Sequence, residues 1–160
     1  MESARAATID DLERLEALAR LALDQLRPLR GGLLWSLTLG RQEPVSAALH
    51  EALTDPLHLI VVGLIDEVVV GYGDVHLQGL PDGATLAVVD ELYVEPDARG
   101  VGVGEVVMDM LLAWADERGC VGIDAVALPG DRATKNFFER FGLTARAIVV
   151  HRALHPDRDA

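Results

Sequence analysis

The sequence predicts an α+β fold with a mixed sheet, and three observations lead there. Apolar, strand-like runs follow one another at 57–65, 68–78 and 85–94 with only short polar breaks between them, the order of an antiparallel meander. The third run leads into Arg99-Gly100-Val101-Gly102-Val103-Gly104, then into a helical pattern and a further apolar run at 121–128, so a strand-helix-strand crossover follows the antiparallel strands. Ahead of the strands, Ile9, Leu12, Leu15, Leu18, Ala19 and Ala22 recur at helical spacing.

The elements follow in order. Residues 4–7 are too few to assign. Thr8 and Asp11 have capping-box spacing, and the helix they open runs to about Leu26. Pro28 and Gly31-Gly32 end it, and Leu33 to Leu39, with Trp35 inside, is apolar enough for either a helix or a strand. Pro44 suits a first helical turn; Val45, Leu49, Ala52 and Leu53 continue that helix, and Asp55-Pro56 closes it. Asp66-Glu67 breaks the first two strands into a hairpin, and Gly79, Pro81 and Gly83 turn the chain toward the third. After the glycine run, Val106, Val107, Met110, Leu111 and Trp114 give a helix that Gly119 caps. A strand at 121–128, a turn at Pro129-Gly130, a helix at 132–140 and a last strand at 145–152 complete the order. At 160 residues, half of them hydrophobic, the chain is expected to be one domain over 1–154 with a loose tail at 155–160.

Composition narrows the function. A net charge of −12 repels polyanions, so nucleic acid is not an expected partner, and it tilts the reading toward cationic substrates. The single cysteine, Cys120, excludes an internal disulfide and a multi-cysteine zinc site; no metal is expected, and a reducing cytoplasm is the expected location. The N-terminus has no apolar signal-peptide core, and the most apolar run, 57–65, contains His58 and falls well short of the roughly 20 residues that span a bilayer, so no membrane association is expected.

The glycine run carries the chemistry. Glycines at alternate positions let several backbone N–H groups converge on one anion, and a helix that starts there adds the positive end of its dipole. A P-loop needs a lysine and a hydroxyl after its last glycine, whereas Glu105 and Val106 follow Gly104; a dinucleotide fingerprint needs its third glycine one residue later. An arginine, two residues, a glycine, one residue and another glycine remain as the pattern: Arg99, Gly102 and Gly104. In this spacing, and with Glu91-Leu92-Tyr93-Val94-Glu95-Pro96 ahead of it, the segment resembles the pyrophosphate loop of the GNAT superfamily of acyl-CoA-dependent N-acetyltransferases.

The order of elements is similar to that superfamily's fold over most of the chain. The resemblance implies antiparallel strands followed by the crossover, helices on both faces of the sheet, and a gap between strands 86–94 and 121–128 that admits pantetheine. It implies acetyl-CoA as cosubstrate, held by Leu92, Tyr93, Val94, Arg99, Gly100, Val101, Gly102, Val103 and Gly104. It extends to Asp131, where the family often has an asparagine, and to Phe138, where many members have a tyrosine acid. Lys135, on one helix face with Arg132, is expected near the CoA phosphates. Gly142-Leu143 stands for the usual glycine-phenylalanine step. The implied reaction is acetyl transfer to a primary amine of a small molecule or peptide, with Asp90 and Glu91 as the carboxylates nearest the amine. Strand alternation puts Glu91 and Tyr93 on one face and Asp90, Leu92 and Val94 on the other, while Tyr72, Asp74 and His76 share a face of the preceding strand. Because a phenylalanine cannot donate a proton, Phe138 leaves open a non-catalytic acyl-CoA-binding module; a nucleotide-binding module rests on the glycine run alone. A homodimer is compatible with either reading.

Overall fold

The computed structural model describes residues 1–156; the end of the expected tail, 157–160, lies outside the described residues. Strand β1 (Glu2–Ala6) precedes a short turn in which the Thr8 backbone N–H donates to the Asp11 carboxylate at 2.8 Å, the capping contact the sequence predicts. Helices α1 (Leu12–Leu26), α2 (Gly32–Thr38) and α3 (Val45–Thr54) follow, so the ambiguous apolar stretch around Trp35 is helical. Strands β2 (His58–Ile65), β3 (Val68–Gly79) and β4 (Thr85–Val94) form the meander. Helix α4 (Val103–Glu117), strand β5 (Gly122–Ala125) and helix α5 (Arg132–Arg140) complete the described elements.

The sheet has the order β1-β2-β3-β4-β5, antiparallel throughout except for the parallel β4–β5 pair that the α4 crossover makes possible. Helices cover both faces. Leu15, Leu18, Trp35 and Leu49 from α1, α2 and α3 pack against Ile60, Val62, Tyr72 and Tyr93. On the other face, Val107, Met108 and Leu111 of α4 and Phe138 of α5 pack against Val61, Val75, Ala87 and Val89. Two strand glycines let α4 lie close: a Cβ at Gly63 would come within 2.6 Å of a Val103 methyl, and one at Gly73 within 2.6 Å of a Val107 methyl.

One unassigned segment proves to be a strand, and two sequence expectations are corrected. Residues 2–6 form an edge strand whose side chains are nearly all exposed, so no hydrophobic alternation announces it. The strand expected at 121–128 is regular only over Gly122–Ala125, because beyond Val89 the neighbouring β4 turns away from it. The strand expected at 145–152 does not form: the segment joins no ladder, reaching β5 only through the Arg146 side chain at Asp124, and Ile148, Val149 and Val150 stand in solvent. High β-propensity is not sufficient without a neighbour to supply the ladder.

Replacing Gly73 with valine drives methyl groups into Val107 and Leu111. A loss of about 1–3 kcal/mol in unfolding free energy is expected, as in other overpacked cores, read from the denaturant midpoint at constant m-value. An unchanged midpoint would mean that α4 is not seated on the sheet as described.

Candidate active site

Strand β4 is the axis of the site, and a bulge in it decides which way its carboxylates point. Asp74 of β3 lies opposite Glu91, but the next residue of β3, Val75, lies opposite Val89; Asp90 is therefore an extra residue on β4. The bulge resets the alternation. Asp90 faces His76, whose Nδ1 is 2.6 Å from its Oδ2, and Glu91 faces Tyr72. The two neighbouring carboxylates consequently lie on the same face, not on opposite faces as simple alternation predicts.

The bulge also lies where β4 and β5 part. Their ladder covers only Leu86–Val89 and Gly122–Ala125, and beyond it a cleft of about 350 Å³ opens between residues 89–94 on one side and 126–128 on the other. Of the residues expected to hold a cofactor, Leu92, Tyr93, Val94, Arg99, Gly100, Val103, Gly104, Asp131 and Phe138 line it. Val101, Gly102 and Lys135 do not; Val101 is exposed, and Lys135 instead makes an exposed 3.4 Å pair with Glu139.

Gly100 and Gly102 have φ of +82° and +97°, the left-handed region that glycine enters without strain, and Gly102 is the N-cap of α4. The first-turn N–H groups of α4 have no acceptor within the helix. Gly104 serves packing as well: a Cβ there would lie 3.2 Å from the Phe137 ring. Arg99 stitches the corner together, with Nε donating to the Val94 carbonyl at 2.7 Å and Nη2 to Gln25 Oε1 at 2.7 Å. Its guanidinium also lies 5.6 Å from the centre of the Tyr93 ring. Asp131 caps α5, accepting from the Thr134 backbone N–H at 3.2 Å and from the Thr134 hydroxyl at 2.7 Å.

On the other side of Asp90 and Glu91 lies a second cavity of about 390 Å³, lined by Leu39, Arg41, Asp55, Leu57, His58, Asp74, His76, Leu77, Asp90 and Glu91. A buried network forms its wall. Arg41, from the loop after α2, donates to Asp74 and, at 3.2 Å, to Glu91 Oε2, which also accepts from the Tyr72 hydroxyl at 2.5 Å. His58 Nε2 contacts the other Asp74 oxygen. Glu91 is only 7% exposed, and its Oε1 has no partner. A buried, unpaired acceptor costs free energy unless a ligand supplies a donor.

Burial raises the Glu91 pKa, and the Arg41 charge and Tyr72 hydrogen bond offset only part of that rise. Burial and the nearby Asp74 charge raise Asp90 likewise. Asp74 is buried too, but hydrogen bonds and charge from His58 and Arg41 outweigh burial and keep its pKa low. Burial pulls His58 down, yet its bond to Asp74 and the charges of Asp74 and Asp90 leave it raised. Burial and Glu91 raise Tyr72 well above the ordinary phenol value.

The acetyltransferase (GNAT) family model matches residues 17–143, a span that includes the splayed parallel pair, the bulge and the glycine-capped helix. This chain belongs to the GNAT acetyltransferase family. Solved structures agree on the fold. An aminoglycoside N-acetyltransferase in complex with CoA is 17% identical, with 96% of this chain and 95% of that one covered and a TM-score of 0.74. A predicted acetyltransferase with acetyl-CoA from Clostridium acetobutylicum is 15% identical, with 96% and 97% covered and a TM-score of 0.72. A transcriptional regulator from Bacillus halodurans is 24% identical, with 96% and 100% covered and a TM-score of 0.71. No curated protein matches the chain by sequence.

For this GNAT chain, sequence reading finds Tyr72, Asp74, His76, Asp90 and Glu91 but misses Arg41 and His58. Arg41 sits between two helices with no periodicity to mark it, and a lone histidine in an apolar strand carries no pattern. Only the fold brings them to the two carboxylates.

Removing the Arg41 charge leaves Asp74 and Glu91 buried beside each other. Arg41→Met is expected to cost about 3–5 kcal/mol near neutral pH, shrinking as acid protonates the carboxyls, and thermal unfolding between pH 5 and 8 measures it. A uniform loss across that range would show that the pair is not charged in the native state.

The raised His58 pKa has a defined sign. Its contribution to stability is fully present below the unfolded imidazole value of about 6.5 and fades as pH rises through the higher folded value. His58→Gln is expected to flatten that part of the stability–pH curve, and an unaltered slope would assign it to another group.

Proposed function

We propose that this chain is an acetyl-CoA-dependent N-acetyltransferase acting on a primary amine of a small, cationic acceptor. The observation that carries this reading is the unpartnered Oε1 of Glu91, a buried carboxylate oxygen that belongs to a residue lining both cavities.

The cleft fits the cosubstrate. Gly100 carries no side chain to obstruct the mouth, and the first-turn N–H groups of Val103, Gly104 and Glu105 are suited to a pyrophosphate. Leu92, Val94, Phe138 and the apolar residues at 126–128 offer walls for a pantetheine arm. Acetyl-CoA supplies an activated thioester, so the residues of the chain have only to orient the amine and move its proton.

Glu91 suits both tasks. Tyr72 and Arg41 hold Oε2, which leaves Oε1 fixed for an N–H donor, and burial raises the carboxyl toward the range where it exchanges protons at neutral pH. The wall of the second cavity carries Asp55, Asp74, Asp90 and Glu91 against one arginine, Arg41, a balance that favours a cationic acceptor. Among the structural neighbours, the aminoglycoside N-acetyltransferase acts on amines of that character.

A second reading, an acyl-CoA-binding module without turnover, is favoured by Phe138. Its ring is buried in the cleft wall and packed with α4, and it has no hydroxyl to protonate a departing thiolate. A thiol pKa of about 8.5 makes its anion a tolerable leaving group, and for that reason the enzymatic reading ranks first.

Thiol release from acetyl-CoA, measured with mono- and polyamines, tests both readings. Turnover is expected, favouring acceptors with a second positive charge, and Glu91→Gln is expected to lower kcat by about 10²–10⁴-fold while the KM for acetyl-CoA changes little. Full kcat in Glu91→Gln would remove Glu91 from the reaction. CoA binding without turnover of any amine would favour the binding module.

A further inference from the structure

Side chains with metal-ligating atoms from three adjacent strands meet on the wall of the second cavity. His58 stands at the start of β2, Asp74 lies on β3, and the bulge turns Asp90 of β4 onto the same face. One imidazole nitrogen and one oxygen of each carboxylate all lie within 4.8 Å of one another. His58 Nε2 contacts Asp74 Oδ1 and is 3.7 Å from Asp90 Oδ2. A single N–H serves only one of those oxygens, whereas a metal ion takes a lone pair from all three atoms at once.

We propose that His58 Nε2, Asp74 Oδ1 and Asp90 Oδ2 bind a divalent transition-metal ion of the zinc class, with a fourth position open to the cavity. The spacing suits such an ion. Bonds of about 2.0–2.2 Å in a tetrahedral array set neighbouring ligand atoms about 3.3–3.6 Å apart, close to the 3.7 Å between His58 and Asp90. Two carboxylates balance the charge of the ion, and the imidazole nitrogen selects zinc, cobalt or nickel against magnesium and calcium.

The ligands are also held from behind. Arg41 donates to Asp74 Oδ2, the oxygen that His58 leaves free, and His76 Nδ1 lies 2.6 Å from Asp90 Oδ2. Partners of this kind fix the orientation of a ligand before the ion arrives. The site uses no cysteine, so the single Cys120 does not argue against it.

Bound there, the ion governs access to the cavity, an effect that rests on the acetyltransferase reading. The wall holds four carboxylates, those of Asp55, Asp74, Asp90 and Glu91, and the ion neutralises two of them where a cationic amine is drawn in. Metal and amine therefore exclude each other.

Calorimetric titration of the chelator-stripped chain with zinc chloride tests the site. A single ion per chain is expected to bind with micromolar affinity or tighter, and millimolar magnesium is expected not to displace it. His58→Gln and Asp90→Asn are each expected to weaken zinc at least tenfold, while His151→Gln, on the exposed C-terminal segment, is expected to bind as the wild type does. Circular dichroism checks the fold of each variant, and Asp90→Asn, at a partly exposed position, decides the point if His58→Gln does not fold. No zinc uptake at micromolar concentration overturns the proposal. So does displacement by magnesium, or a loss in His151→Gln as large as that in His58→Gln, which would put the ion elsewhere. In acetylation assays, zinc at about ten times its Kd is expected to raise the KM for the amine about tenfold with kcat unchanged. A fall in kcat at saturating amine overturns the exclusion. The calorimetry needs no turnover, so a chain that acetylates nothing would refute the acetyltransferase reading while the metal site is decided on binding alone.

Discussion

A single buried guanidinium holds the two halves of this molecule together. Arg41 comes from the helical segment between α1 and the sheet, and it ends between Asp74 and Glu91 on the two central strands. Two carboxylates this close and this buried cannot both stay ionised without a cation; His58 of β2 reaches only Asp74, so Arg41 is the one cation in contact with both. The helical layer is therefore tied to the sheet electrostatically as well as through the apolar contacts of Leu15, Leu18 and Leu49. The same contact fixes one oxygen of Glu91 and leaves the other buried without a partner, so fold and site share one interaction.

Much of this was legible in the sequence because the decisive features are local. The glycines of the 99–104 corner, the capping residue Thr8 and the helical recurrence in α1 and α4 each work over a few residues, and the structure follows them. The face of Tyr72, Asp74 and His76 was also readable, since β3 keeps its alternation through those positions. What could not be read depends on residues far apart. The bulge at Asp90 arises from the register of two strands, and Arg41 meets Glu91 across 50 positions of chain. The short β1 has no apolar face to announce it, and the run at 145–152 shows the converse case, in which a strong local preference finds no neighbour.

Electrostatics divides the two cavities by task. The cleft beside α4 presents backbone donors and apolar walls, with Arg99 engaged by the Val94 carbonyl and Gln25. The second cavity is predominantly acidic. The two cavities thus differ in the charge they would favour on opposite sides of one strand, and Asp90 and Glu91 stand where they meet. The extra residue in β4 makes this possible, since without it one of the two carboxylates would point into the packed layer beneath α4.

The two strand glycines under α4 have a consequence for ligand capture. With no side chains at Gly63 and Gly73, the valines of α4 rest almost directly on the backbone of β2 and β3, and the helix cannot slide without colliding with the sheet. The N-terminal amides of that helix are therefore immobilised before any ligand arrives. Their orientational entropy is surrendered during folding, so an anion bound there would meet a rigid receptor and would retain a larger share of each hydrogen bond as affinity.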